Sequence, residues 1–180
     1  RFGGCARDYF PFHTLMDKSK DYTARLRVHR MFTHHTLGTR IILPKVFGEF
    51  ITNSDGKQVS TKDLGKFHLL EDHGFSPSPW WWVKNIKLQS WMKGRGIKKP
   101  IYYAKEHSKR WGGQPKDYLQ IHLLMDQFED FFEGDPRGRV FTHNTLFTGE
   151  FLPRIFGELI TNRDGADVSV REIGLYHLAT

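Results

Sequence analysis

Cysteine is almost missing from this sequence. Cys5 stands alone in 180 residues, so no internal disulfide can form, and a reducing setting is expected rather than secretion. Long hydrophobic runs are missing too: no stretch of about 18 apolar residues occurs, which argues against a membrane helix, and mean hydropathy is −0.54. The zinc signatures HExxH and CxxC are absent, and no secretory leader is recognisable. Acidic residues are scarce in one window only. From Lys84 to Lys116 ten Lys and Arg face one acid, Glu106. That is +9 against +7 for the whole chain, so the remainder is close to −2. What is present is globular in character: 38% hydrophobic and 14% aromatic residues are too many for a disordered chain.

The chain repeats itself. "FGEFITNSDGKQVSTKDLGKFHLL" starts at Phe47, and "FGELITNRDGADVSVREIGLYHLA" starts at Phe156. An offset of 109 aligns residues 1–71 with 110–180 without a gap, with 32 of the 71 positions identical. A tandem duplication predicts one shared fold: mainly α with small β-hairpins (α+β), in two homologous modules. The expected division is module 1 over 1–74, a basic Trp-rich connector over 75–109 whose end opens module 2, and module 2 over 110–180. The copies also start and stop at different points of the repeat, which predicts that the full protein extends past both ends.

Within a module, "DYFPFHTLMDKSK" and "DYLQIHLLMDQFEDFF" have helical spacing. The segment "ARLRVHRMFTHHTLGTRIILPKVFG", with Leu26, Met31, Phe32 and Ile42, predicts a long helix or a helix pair in which Pro44 kinks the chain or starts a turn. "EFIT" and "KQVS" flank an "NSDG" turn and predict a hairpin. Ser60 with Asp63, and Ser169 with Glu172, mark helix starts, and Gly74 marks a helix stop. Ser78-Pro79 predicts another start, followed by an aromatic helix over "WWWVKNIKLQSWM" expected to bury at least two of Trp80, Trp81 and Trp82.

Polar residues kept by both copies need a reason. They include His13/His122, Asp17/Asp126, Arg30/Arg139, His34/His143, Glu49/Glu158, Asn53/Asn162, Asp55/Asp164 and His68/His177. The turn residues Asn53 and Asp55 are expected to be structural. Neutral imidazoles of His13, His34 and His68, and of His122, His143 and His177, are candidate ligands for Zn²⁺ or another divalent ion. Asp17, Arg30, Glu49, Asp72, Asp126, Arg139 and Glu158 would then orient them from outside. An open position on such an ion would permit hydrolysis. The simpler alternative is a set of histidines hydrogen-bonded across helix contacts with no cofactor. His29, His35 and His73 occur in module 1 alone, Gly138 and Asn144 standing opposite the first two, so module 1 is the better place for an active site.

The connector suggests a different task. Lys84, Lys87, Lys93, Arg95, Lys98, Lys99, Lys105, Lys109 and Arg110 surround Trp91 and Trp111. Cations neutralise phosphates and exposed aromatic rings stack on unpaired bases, so nucleic acid, with RNA favoured, is the expected partner, alone or with other proteins of a large assembly. An intracellular setting in cytoplasm, organelle matrix or virion follows. Weighed together, these features favour a non-catalytic nucleic-acid-associated or assembly role. The alternative is a metal-dependent hydrolase of the phosphoester class with its site in module 1.

The strings "RFGGCARDYFPFHTLMDKSK", "HRMFTHHTLG", "ITNSDGK" and "HLLEDHG" resemble a family of short, uncharacterised phage and bacterial proteins. That family carries an H-R-x-x-x-H-H pair, I-T-N-S-D-G-R, and H-x-x-E-D-x-G before a proline. The resemblance covers Arg1 to about Gly96 and again Trp111 to Leu178, and it implies no activity. Leu37 departs from it where the family carries an acid, and the second unit departs from its usual single one. Histidines on one helix with H-x-x-E-D on a later one also resemble HD-type phosphohydrolases, without the joined His-Asp pair.

Overall fold

The computed structural model describes residues 1–17, 30–93 and 99–180, with backbone alone for Trp91 and Lys93. The chain divides into two compact units, Arg1–Asn85 and Ile86–Thr180. Among the described residues no helix is long and apolar enough to cross a membrane.

The first unit opens with α1 (Ala6–Asp17), which buries Phe12, Leu15 and Met16 along one stripe. Burying side chains of this kind contributes about 1.5–3 kcal/mol each. The short α2 (Arg30–Thr33) leads to a π-helical turn, Gly38–Ile42, that runs directly into α3 (Leu43–Phe47). Pro44 explains the wide turn. It has no N–H to donate, and its ring would strike the carbonyl four residues back. The ladder slips by one residue instead, and the Leu43 amide donates to the Gly38 carbonyl. Strands β1 (Phe50–Thr52) and β2 (Gln58–Ser60) then pair antiparallel, with Ile51 opposite Val59. Helix α4 (Thr61–His73) starts at the Ser60 cap, whose side chain accepts from the Asp63 amide, and stops at Gly74 in the left-handed conformation (φ 72°). Helix α5 (Pro79–Val83) closes the unit.

The second unit repeats this order at an offset of 109. Helix α7 (Pro115–Phe131) stands for α1, a π-helical turn at Phe147–Phe151 leads into α8 (Leu152–Phe156), and β3 (Leu159–Thr161) pairs with β4 (Asp167–Ser169) before α9 (Val170–Ala179). Both units are thus mainly helical with one two-stranded hairpin each. An extra helix, α6 (Pro100–Trp111), packs on α7.

The "N-x-D-G" turns tie each unit together. The Asn53 side chain accepts from the amides of Asp55 and Lys57 and donates to the Phe2 carbonyl and the Tyr9 hydroxyl. Asp55 accepts from the Gly4 amide at 2.6 Å, while one oxygen of Asp8 accepts from the amides of Cys5 and Ser54. Asn162, Asp164 and Asp117 make the matching bonds to Trp111, Gly113 and Gln114. Close packing sets the α4 position. A Cβ on Gly65 would lie 2.9 Å from the Thr39 methyl, and one on Gly174 would lie 2.7 Å from Leu152.

Candidate metal centre

Three helices of the first unit bring shared polar residues together. Helix α1 carries His13 and Asp17 one turn apart, His34 follows α2, and α4 carries His68 and Asp72 one turn apart. Nε2 of His34 and Nε2 of His68 are 3.3 Å from each other. Asp17 Oδ1 lies 3.2 Å from the His68 nitrogen and 3.5 Å from that of His34. Asp72 Oδ2 lies 3.4 and 3.3 Å from the same two atoms. Ligands at the corners of a tetrahedron around an ion at about 2.0–2.1 Å stand roughly 3.3–3.4 Å apart. The five separations therefore match the edges of a site that two imidazoles and two carboxylates can share around a divalent ion.

The second unit repeats the arrangement. His143 Nε2 and His177 Nε2 are 3.1 Å apart, and Asp126 Oδ1 is 3.3 Å from each. Among the described residues three groups meet there, Asp126, His143 and His177. Behind the nitrogens the same supports recur. Thr142 donates its hydroxyl proton to the Met125 carbonyl at 2.5 Å, so its oxygen is left to accept from His143 Nδ1 at 3.2 Å. That fixes the tautomer with the Nε2 lone pair facing the cluster. Thr33 stands between the Met16 carbonyl and His34 Nδ1 in the same way. Nδ1 of His68 meets Nδ1 of His13, and Nδ1 of His177 meets that of His122, each at 2.8 Å.

Asp126 has an incomplete set of partners. Among the described residues its Oδ2 is buried with no hydrogen-bond partner, and its Oδ1 faces two ring nitrogens of which one has no proton to give. A largely buried carboxylate calls for more positive charge than that.

One family model, described as a domain of unknown function (DUF6915), matches residues 1–92 and again 98–180. The chain belongs to the DUF6915 family. It holds the domain twice in tandem, in keeping with the repeat, and the description assigns no activity. No curated protein and no solved structure matches the chain.

In the DUF6915 clusters burial favours the neutral form of His13, His34, His122 and His143. Burial pushes His34 and His13 down from the ordinary histidine range and takes His143 to about 4 and His122 to about 2. Burial pushes the Asp17 and Asp126 carboxyls up, but the histidines bonded to them outweigh it and hold both well below the ordinary carboxylate range. The two histidines of the first cluster are buried, whereas Asp17 is 41% and Asp72 30% exposed, so the carboxylates form the solvent side. Arg30 pairs with Asp72 and stands 3.8 Å from Asp17. Arg139 instead pairs with Glu129 at 3.2 Å.

Several expected site residues take other places. Asp17, Asp72 and Asp126 present oxygens at the points of convergence instead of orienting ligands from outside, and His13 and His122 stand one bond further out. Glu49 is exposed and pairs with Lys62, and Glu158 is exposed; neither belongs to the clusters. His35 is a buried cap, not a site residue lost from module 2. Its Nδ1 accepts from the Gly38 amide as Asn144 Oδ1 accepts from that of Phe147, and burial lowers its pKa to about 3. Leu37, where the resembled family carries an acid, is buried.

The connector is divided between units. Lys84 belongs to the first, and Lys87, Lys99, Lys105, Lys109 and Arg110 to the second. Lys84, Lys87, Lys99 and Lys105 are exposed and make no ion pair among the described residues. Lys109 pairs with Glu106 at 2.7 Å, and Arg110 lies over the rings of Trp111 and Tyr176. His29, Arg95 and Lys98 fall outside the described residues, as do the side chains of Trp91 and Lys93. The triple tryptophan is less buried than expected: the aromatic helix ends at Val83, its buried residues are Pro79 and Val83, and Trp80 and Trp81 are exposed.

Proposed function

We propose that this protein is a divalent-metal-dependent hydrolase acting on phosphoesters at the centre built by Asp17, His34, His68 and Asp72. The observation that supports the reading is the set of five ligand separations of 3.2–3.5 Å, with two buried imidazoles below and two part-exposed carboxylates above. Asp17, His34, His68 and Asp72 would hold a divalent ion, which would supply Lewis acidity to a phosphoryl oxygen if its shell expanded to admit a fifth ligand. The chain's own residues do the rest. Thr33 and His13 hold the two ligand rings from behind, and Arg30 offers a cation beside the solvent side of the centre. Two carboxylates, one guanidinium and a divalent cation leave a net positive site, which suits an anionic substrate. In the reaction water adds to phosphorus, the P–O ester bond breaks, and a proton passes to the departing alcohol.

Metal analysis of protein purified without chelator tests this directly. We expect stoichiometric zinc, manganese or iron, chelator-sensitive hydrolysis of bis(p-nitrophenyl) phosphate, and loss of the module 1 ion together with activity in His68→Ala. Chelator-stripped protein that takes up none of these ions from solution overturns the reading.

A second reading, binding of nucleic acid without catalysis, rests on the exposed Lys84, Lys87, Lys99 and Lys105. It requires an affinity for RNA or DNA that falls steeply with salt, and a flatter slope when Lys93, Arg95, Lys98 and Lys99 are neutralised.

A further inference from the structure

Beside the module 1 centre lies a group of aromatic rings with no counterpart in the mechanism above. His73 follows Asp72 at the end of α4, and its ring stands 5.8 Å from that of His34. Beyond it are Trp81 at 5.9 Å and Phe75 at 6.1 Å, which meet edge-on at 6.2 Å. Trp81 is 41% and Phe75 46% exposed, although both are large apolar groups. Their placement is held from beneath, because Trp82 donates its indole N–H to the His34 carbonyl at 2.7 Å and the Thr36 amide donates to the Pro77 carbonyl. Helix α5 is thereby fastened to the backbone of a candidate ligand. Arg30, paired with Asp72, has a buried Nε with no hydrogen-bond partner among the described residues.

We infer that Phe75 and Trp81 form a base-stacking subsite, so that the substrate of the module 1 centre is a nucleoside phosphate whose phosphate meets Arg30 and the ion while its base lies on the exposed rings. The inference rests on the metal-centre reading and adds the substrate class to it. Two requirements meet in one place. A π-face is recognised by aromatic side chains without regard to base identity. A phosphate is recognised by a guanidinium beside a net positive site. A purely apolar ligand would leave the Arg30 guanidinium unused, and a bare phosphate would leave the rings exposed. The same chemistry is offered by a free nucleotide and by a single-stranded oligonucleotide.

Tryptophan fluorescence and calorimetry on the metal-loaded full chain test it with three probes: adenosine 5′-monophosphate, ribose 5-phosphate and a short single-stranded oligo(U). Adenosine 5′-monophosphate is expected to bind about tenfold or more tighter than ribose 5-phosphate, the range that one stacked base supplies. Trp81→Ala and Phe75→Ala should each shrink that ratio, with bound metal and circular dichroism unchanged, whereas Arg30→Gln should weaken both phosphates alike. Oligo(U) binding more tightly than the mononucleotide, and depending on Trp81, identifies single-stranded nucleic acid as the source. The reverse order identifies a free nucleotide. Equal affinity for adenosine 5′-monophosphate and ribose 5-phosphate in metal-loaded protein overturns the subsite and leaves the metal centre standing. Protein that binds no metal overturns both.

Discussion

Asp8 and Thr142 show how much single side chains do here. Asp8 accepts from the Ser54 amide, the Cys5 amide and the Ser54 hydroxyl, and these bonds lower its carboxyl from 3.8 to about 2. The unfolded chain binds that proton at a higher pH than the folded one. The stabilisation from Asp8 is therefore complete above about pH 4 and disappears as pH falls toward 2. Urea midpoints at pH 5, 3 and 2 should fall for the wild type, and the part due to this residue should vanish in Asp8→Asn. Thr142 acts on a ring it only touches, by leaving His143 its Nε2 lone pair. Thr142→Val should weaken Zn²⁺ binding by the Asp126, His143 and His177 set by about 10–100-fold. Calorimetric titration checks this, and an unchanged affinity would remove Thr142 from the centre. The shared histidines were visible in the sequence, but their division of labour was not. Nothing in their spacing distinguishes His13, which ends one bond away, from His68, which lies at the meeting point.

At the scale of elements, local rules were readable wherever the chain talks to its near neighbours. The Ser60 cap, the Gly74 stop and the hairpin depend on residues a few positions apart, and they occur as the sequence indicates. The π-helical turn needed more, because Pro44 allows either a kink or a fresh start and only packing selects the slipped ladder. Helix α6 lies in a segment that reads chiefly as basic, yet Tyr103, Ala104 and His107 give it a buried stripe on α7. Its signal was the Lys99-Pro100 start and the spacing of those residues. The tryptophans misled for a physical reason: three adjacent side chains on a helix point in different directions, and Val83 and Pro79 fill the space inside. Gly65 admits α4 to the π-helical turn because a Cβ there would meet Thr39 and Leu43. Gly65→Ala should destabilise the protein by about 1–3 kcal/mol despite the gain in helix propensity, as measured by chemical denaturation.

For the whole molecule the governing fact is repetition. Each unit has its own buried core and its own cluster, Asp17, His34, His68 and Asp72 in one and Asp126, His143 and His177 in the other. On the metal-centre reading, metal analysis should find two ions per chain, and His177→Ala should remove one while sparing the first. A ligand that binds the folded state alone stabilises it, by about 4 kcal/mol when free ion exceeds Kd a thousandfold. Chelator should accordingly lower the unfolding temperature, and a melting curve indifferent to chelator would count against both centres.

The sequence by itself determined that two modules of one kind follow each other, because identity at a constant offset needs no coordinates. It also determined the hairpins and the caps, which depend on short-range patterns. Only the tertiary structure decided which polar residues meet. Residues 17, 34, 68 and 72 reach one point because α1, the end of α2 and α4 cross at particular angles. Those angles come from packing contacts such as the one at Gly65, and side-chain packing between distant segments leaves no periodic trace along the chain.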